Sequence, residues 1–136
     1  MRFMILVKGN VESEAGVMPS QDIFTAMADY HEQLAKAGVL LDANGLQPTS
    51  KGFRVNYSGG KRMIMDGPFT ETKEILAGFT IIQVKSREEA IEWAMRFPNP
   101  HNEDGHIEVR QMFELEDFGD LKGVERFRDL GVDVEK

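Results

Sequence analysis

Residues Phe3 to Val7 carry apolar side chains on both alternating faces, with Phe3, Ile5 and Val7 on one and Met4 and Leu6 on the other. A strand exposed to water on one side alternates apolar with polar residues; this one does not, so it reads as a central strand covered on both faces. The apolar run is five residues long and ends at Lys8. That is too short for the apolar segment of a signal peptide or for a membrane span. No membrane association and a cytoplasmic location are the resulting expectations.

The rest of the chain arranges itself around that strand. Asn10 to Pro19 reads as a polar loop, after which Ser20 is placed to cap a helix running to about Ala37 and stopped by Gly38. At 100° per residue Ile23, Phe24, Met27, Leu34 and Gly38 form one stripe, with His31 inside it one turn after Met27. Val39 to Leu46 reads as a strand ending in Asn44-Gly45. Phe53 to Tyr57 and Arg62 to Met65 flank Ser58-Gly59-Gly60-Lys61, which signals a hairpin. A segment of helical composition, Thr70 to Leu76, precedes a strand over Gly78 to Val84. Ser86-Arg87-Glu88-Glu89 is a capping box, and its helix stops at Pro98-Asn99-Pro100. His106 to Phe113 alternates as a last strand.

Two β-α-β halves with both helices on one side of an antiparallel sheet predict an α+β, ferredoxin-like domain over residues 1–114, with an inserted hairpin. Residues 115–136 form a charged, weakly amphipathic appendage. A chain of 136 residues can bury a core without disulfides. The absence of cysteine excludes thiol nucleophiles, thiolate zinc sites and iron–sulfur clusters. A net charge of −7 is a poor footprint for nucleic acid. With both helices on one face, the Met4/Leu6 face needs a cover, which predicts face-to-face homodimerisation. Trp93 and Phe97 widen the second helix's apolar arc; they serve that interface or pack on the chain's own appendage.

Asp66-Gly67-Pro68-Phe69, followed by Glu71-Thr72-Lys73-Glu74 and Gly78-Phe79, resembles the signature of the YCII-related, DGPF-type proteins. Met1-Arg2-Phe3-Met4, Ala37-Gly38-Val39-Leu40, Gly45-Leu46-Gln47-Pro48, Glu89-Ala90-Ile91-Glu92-Trp93-Ala94 and Ile107-Glu108-Val109-Arg110 agree with it in order, over residues 1 to about 114. The resemblance implies a ferredoxin-like fold that pairs as a dimeric α/β barrel. It also implies a functional link, in many bacterial members, to extracytoplasmic-function sigma factors, and acid–base chemistry on small molecules by a paired His and Asp. Placing the group's helix-ending glycine on Gly38 puts its first-helix histidine near Met27, which cannot transfer protons. His31 lies one turn further along. Asp66 carries over directly as the signature residue.

Several side chains can carry chemistry. Asp66 before a Gly-Pro turn either accepts from backbone amides two residues on or stands as a carboxylate at the mouth of a pocket, with Arg62 and Ile64 on its side of the strand. His31 is a core or interface histidine or, with its pKa near neutrality, a proton donor to Asp66's acceptor. Arg54, whose planar guanidinium can grip a carboxylate, is the anion anchor of the set or an exposed strand arginine. Arg62 and Lys73 add positive charge for the same anionic ligand. His101 and His106 share a loop with Glu103 and Asp104 but lack the spacing of a metal-binding pair, so no metal and no cofactor are expected. Ser58-Gly59-Gly60-Lys61 is a turn, since no helix follows it as in a phosphate cradle. The expected function is that of a homodimer with a small-molecule pocket, with a lyase- or isomerase-type acid–base reaction on an anionic molecule. The alternative is a non-catalytic regulatory dimer in a sigma-factor pathway.

Overall fold

The computed structural model describes residues 1–70, 74–132 and 135. β1 (Arg2–Lys8) is central in a four-stranded antiparallel sheet of order β2-β5-β1-β6, in which β2 is Leu40–Gly45, β5 Leu76–Gln83 and β6 Ile107–Gln111. β3 (Phe53–Ser58) and β4 (Lys61–Asp66) form a separate two-stranded hairpin between β2 and β5. Its turn uses Gly59 and Gly60, both at positive φ, where a side chain would be strained. The expected α+β, ferredoxin-like arrangement with an inserted hairpin is therefore the observed one.

Two helices build the core on one face. α2 (Gln21–Lys36) begins where the Ser20 hydroxyl accepts from the Ile23 amide, and α3 (Arg87–Met95) where the Ser86 hydroxyl accepts from Glu89. Phe3 and Ile5 of β1 meet Tyr30 and Leu34 of α2, Ile82 of β5 and Ala90 of α3 in one cluster. Within α2 the stripe differs from expectation at two positions. Tyr30 is 3% exposed, whereas Phe24 is 64% exposed. Tyr30 enters the core because its hydroxyl finds a partner there, donating to the Trp93 carbonyl at 2.7 Å. Asn10 to Pro19 is not wholly loop: α1 (Val11–Glu14) is a single turn whose cap is a reciprocal bond pair between Asn10 and Ser13. Of the segment read as helical over Thr70 to Leu76, residues 71–73 lie outside the described residues, and Leu76 already belongs to β5.

The opposite face of the sheet is partly covered by the chain itself. Arg2, Met4 and Leu6 point to it, and Leu6 is only 8% exposed, while Met4, Phe79 and Ile81 are half-buried. The segment after β6 turns onto this side. Glu114 grips the buried Arg2 guanidinium through both carboxylate oxygens at 2.9 Å, and Leu115 is fully buried. α4 (Val124–Leu130) follows, with Phe127 and Leu130 exposed. Uncovered apolar side chains also lie on the hairpin, where Phe53, Tyr57, Met63 and Ile64 are all exposed.

Candidate functional site

His31 sits on the inner side of α2 and uses both ring nitrogens. Nδ1 is 2.7 Å from the Met27 carbonyl and Nε2 is 2.8 Å from the Thr80 hydroxyl. A carbonyl only accepts, so Nδ1 carries the proton and Nε2 receives the hydroxyl of Thr80. Thr80 lies mid-way along β5 and is 1% exposed. The rings of Tyr30 and Phe97 meet the imidazole edge-on, with centroids 5.5 and 6.1 Å away. Burial pushes the Tyr30 phenol up to about 12, against the opposing pull of the Arg96 charge. Trp93 and Phe97 belong to this same group, with ring centroids 6.2 and 5.1 Å from Tyr30. These two rings bridge α3 and the residues after it to α2.

Asp66 closes β4 at the root of the hairpin, opposite Phe53 and exposed. The turn after it is held tightly. The Gly67 amide donates to the Gly52 carbonyl at 3.0 Å, and the Gly67–Pro68 peptide is cis. A Cβ on Gly67 would lie 1.9 Å from the Thr49 carbonyl oxygen, so only glycine fits. Thr49 is the hub of this turn. Its hydroxyl oxygen accepts from the Phe69 amide at 3.0 Å and donates its own proton to Glu14 of α1, at 2.5 Å. The second Glu14 oxygen takes the Thr49 amide at 3.1 Å. The turn amides are thus satisfied by backbone and Thr49. Among the described residues no hydrogen bond engages the Asp66 carboxylate.

The other expected residues distribute around the hairpin. Arg54 pairs with Met65 across the strands, on the face opposite to Asp66, and its guanidinium lies 3.7 Å from the centroid of the Phe69 ring. Arg62 shares the Asp66 face but stands four residues away, roughly 13 Å along β4. It covers Tyr57 at 5.2 Å. Lys73 lies outside the described residues. The structure therefore brings Arg54 to the signature turn through Phe69 and leaves Asp66 unengaged. It bonds His31 to the sheet, not to Asp66. Thr49 and Glu14, which mount the turn, carry no sequence signal, because 35 residues separate them.

A second polar group occupies the loop between α3 and β6. His101 Nε2 donates to the Lys8 carbonyl at 2.7 Å, and Asn10 donates to Glu103 at 3.0 Å. These contacts close one wall of a cleft of about 720 Å³ beside the end of β1. Among the described residues no three His, Asp or Glu side chains converge to hold a metal ion, and no helix is long and apolar enough to cross a membrane.

Residues 1–116 match the YCII-related domain. The chain belongs to the YCII-related family. Within it, the uncharacterized protein R00369 of Rhizobium meliloti (strain 1021) is 39% identical over 77 residues, which are 57% of this chain and 62% of that protein. The match thus spans less than two thirds of the relative's length. A solved structure, 5-chloro-2-hydroxyhydroquinone dehydrochlorinase (TftG) from Burkholderia phenoliruptrix AC1100 in complex with 2,5-dihydroxybenzoquinone, is 16% identical, with a TM-score of 0.48 over 84% of this chain and 95% of that one. At that identity no residue role passes from it to this YCII-related domain.

Proposed function

We propose that this YCII-related protein is a homodimer that binds a small anionic molecule at the root of the hairpin and takes a proton from it with Asp66. One observation supports the reading above the others. Asp66 is an exposed carboxylate without a hydrogen-bond partner among the described residues, on a turn fixed by Gly52, Thr49 and Glu14. Folding alone does not require a free carboxylate on so rigid a mount, whereas a general base needs both properties. Arg54, stacked on Phe69 at the same turn, supplies a guanidinium for the anion. His31 acts in this reading as a positioning residue, holding α2 on β5 through Thr80. Arg62 and Lys73 contribute positive charge to the approach of the ligand.

The test is Asp66→Asn. With a panel of small carboxylates bearing an acidic C–H, wild-type protein should promote exchange of that hydrogen in deuterated water, followed by NMR, and the variant should lose it. Binding, read by thermal shift, should persist in the variant and fall in Arg54→Met. Exchange undiminished by Asp66→Asn would remove the proposed base.

A regulatory dimer linked to a sigma factor is the second reading, and the exposed Phe127 and Leu130 of α4 favour it. It requires Phe127→Asp with Leu130→Asp to break a protein contact while Asp66→Asn leaves that contact intact.

A further inference from the structure

The loop between α3 and β6 is braced by side chains rather than by secondary structure. Asn99 accepts from the His101 amide at 3.2 Å and donates to the Glu103 carbonyl at 2.8 Å. His101 Nε2 donates to the Lys8 carbonyl, and one oxygen of the Glu103 carboxylate accepts from the Asn10 side chain. Asn10 is also the cap of α1, so the loop is tied to β1 and to α1 together. The cleft of about 720 Å³ that these elements enclose is of a size that holds a small molecule. Val11, Met95, Phe97, Pro98, Pro100 and Ile107 give it an apolar lining.

The polar part of the lining accepts hydrogen bonds and carries negative charge. Among the described residues no hydrogen bond engages the second Glu103 oxygen or either oxygen of Asp104. His101, with its proton on Nε2, leaves Nδ1 as an acceptor, and the His106 imidazole has no partner among the described residues. Lys8 also borders the cleft, but its ammonium pairs with Glu108 at 3.4 Å and is spent there. Such a lining calls for a donor with positive charge. A bare metal ion is poorly served, since no three His, Asp or Glu side chains among the described residues converge on one point. An organic cation fits better, because it brings an apolar body for the apolar lining. We propose that the cleft binds a primary ammonium ion on an aromatic or aliphatic body. The ammonium donates to Glu103 and Asp104, and the body packs beside Phe97, Pro98 and Ile107. A net charge of −7 favours the approach of a cation. The cleft shares no residue with the Asp66 turn, so this site and the base assigned there are tested separately.

Two of the chain's three histidines border the cleft, so their ring proton signals report on it directly. The full chain is titrated at pH 8, where imidazole is ordinarily neutral, and followed by proton NMR. Three probes separate charge from shape: phenethylammonium, the similarly shaped anion 3-phenylpropionate, and methylammonium, which has the charge without the body. Phenethylammonium should shift the His101 and His106 signals saturably, and the other two should bind at least about tenfold more weakly. Glu103→Gln with Asp104→Asn keeps the shape of both side chains and an oxygen for Asn10 to bond. That variant should hold phenethylammonium about tenfold more weakly, as the loss of two exposed ion pairs implies. Absence of saturable shifts at His101 and His106 overturns the site. Equal binding of 3-phenylpropionate, or an unchanged affinity in the double variant, overturns the assignment of an ammonium ligand. Equal binding of methylammonium overturns the role of the apolar lining.

Discussion

Thr80 donates its hydroxyl proton to His31 Nε2 across 2.8 Å, joining the middle of β5 to the inner side of α2. The bond fixes the imidazole in one tautomer, because Nδ1 is already committed to the Met27 carbonyl. Its chemical consequence is that the nitrogen able to accept a proton faces a buried hydroxyl, not an open pocket.

Removing the hydroxyl should therefore be felt as stability. Thr80→Val keeps the shape and leaves Nε2 without a donor, at a cost of about 1 kcal/mol in urea denaturation. A double-mutant cycle with His31→Ala should return a coupling of similar size, about 1 kcal/mol. Independent, additive effects would mean that the two groups do not depend on each other.

Tyr30 gives a pH dependence whose sign is fixed by its surroundings. Its phenol is raised from 10.0 to about 12, chiefly by burial, so the folded chain keeps a proton that the unfolded chain releases above pH 10. The stabilising contribution is fully present below pH 10 and is lost as pH rises from 10 towards 12. Denaturation midpoints measured across that window should fall more steeply for wild type than for Tyr30→Phe. The variant should also be less stable at neutral pH by about 1 kcal/mol, having lost the bond to the Trp93 carbonyl.

Tyr30 also marks where local reading succeeds and where it stops. Strand alternation in Phe3 to Val7, the caps Ser20 and Ser86 and the Gly59-Gly60 turn are set by neighbours in sequence, and each element formed where its residues indicated. Hydropathy ranks Phe24 above Tyr30 as a core residue. The reverse holds because a carbonyl on another helix satisfies the phenol, and no local pattern encodes that carbonyl. The candidate site divides in the same way. Asp66 is legible as part of the Asp66-Gly67-Pro68-Phe69 signature, but Thr49 and Glu14, which hold that turn, meet only through tertiary structure. The tail is a third case: its charged sequence gives no sign that Leu115 is buried and that Glu114 engages Arg2.

The clamp on the signature turn predicts a sharp contrast between two glycines. Gly67→Ala drives a Cβ into the Thr49 backbone, 1.9 Å from its oxygen, and must displace the turn that carries Asp66. A cost of about 1–3 kcal/mol follows, as for other overpacked sites. Gly105→Ala meets nothing within 4 Å and should be close to neutral. Equal effects in thermal denaturation would show that the Thr49 contact does not constrain the turn.

Arg2 supplies the last prediction. Its guanidinium is almost wholly buried, bonded by Glu114 through both oxygens and by the Phe113 carbonyl at 3.2 Å. Removing only the carboxylate takes a bidentate counter-ion from a buried positive charge, so Glu114→Ala should cost about 3 kcal/mol. Replacing both partners removes the charge together with its counter-ion, so Arg2→Met/Glu114→Leu should be markedly milder than Glu114→Ala alone. Chemical denaturation of the three proteins decides the matter. If the double variant is as unstable as Glu114→Ala, the tail is held by packing around Leu115, and the ion pair adds little.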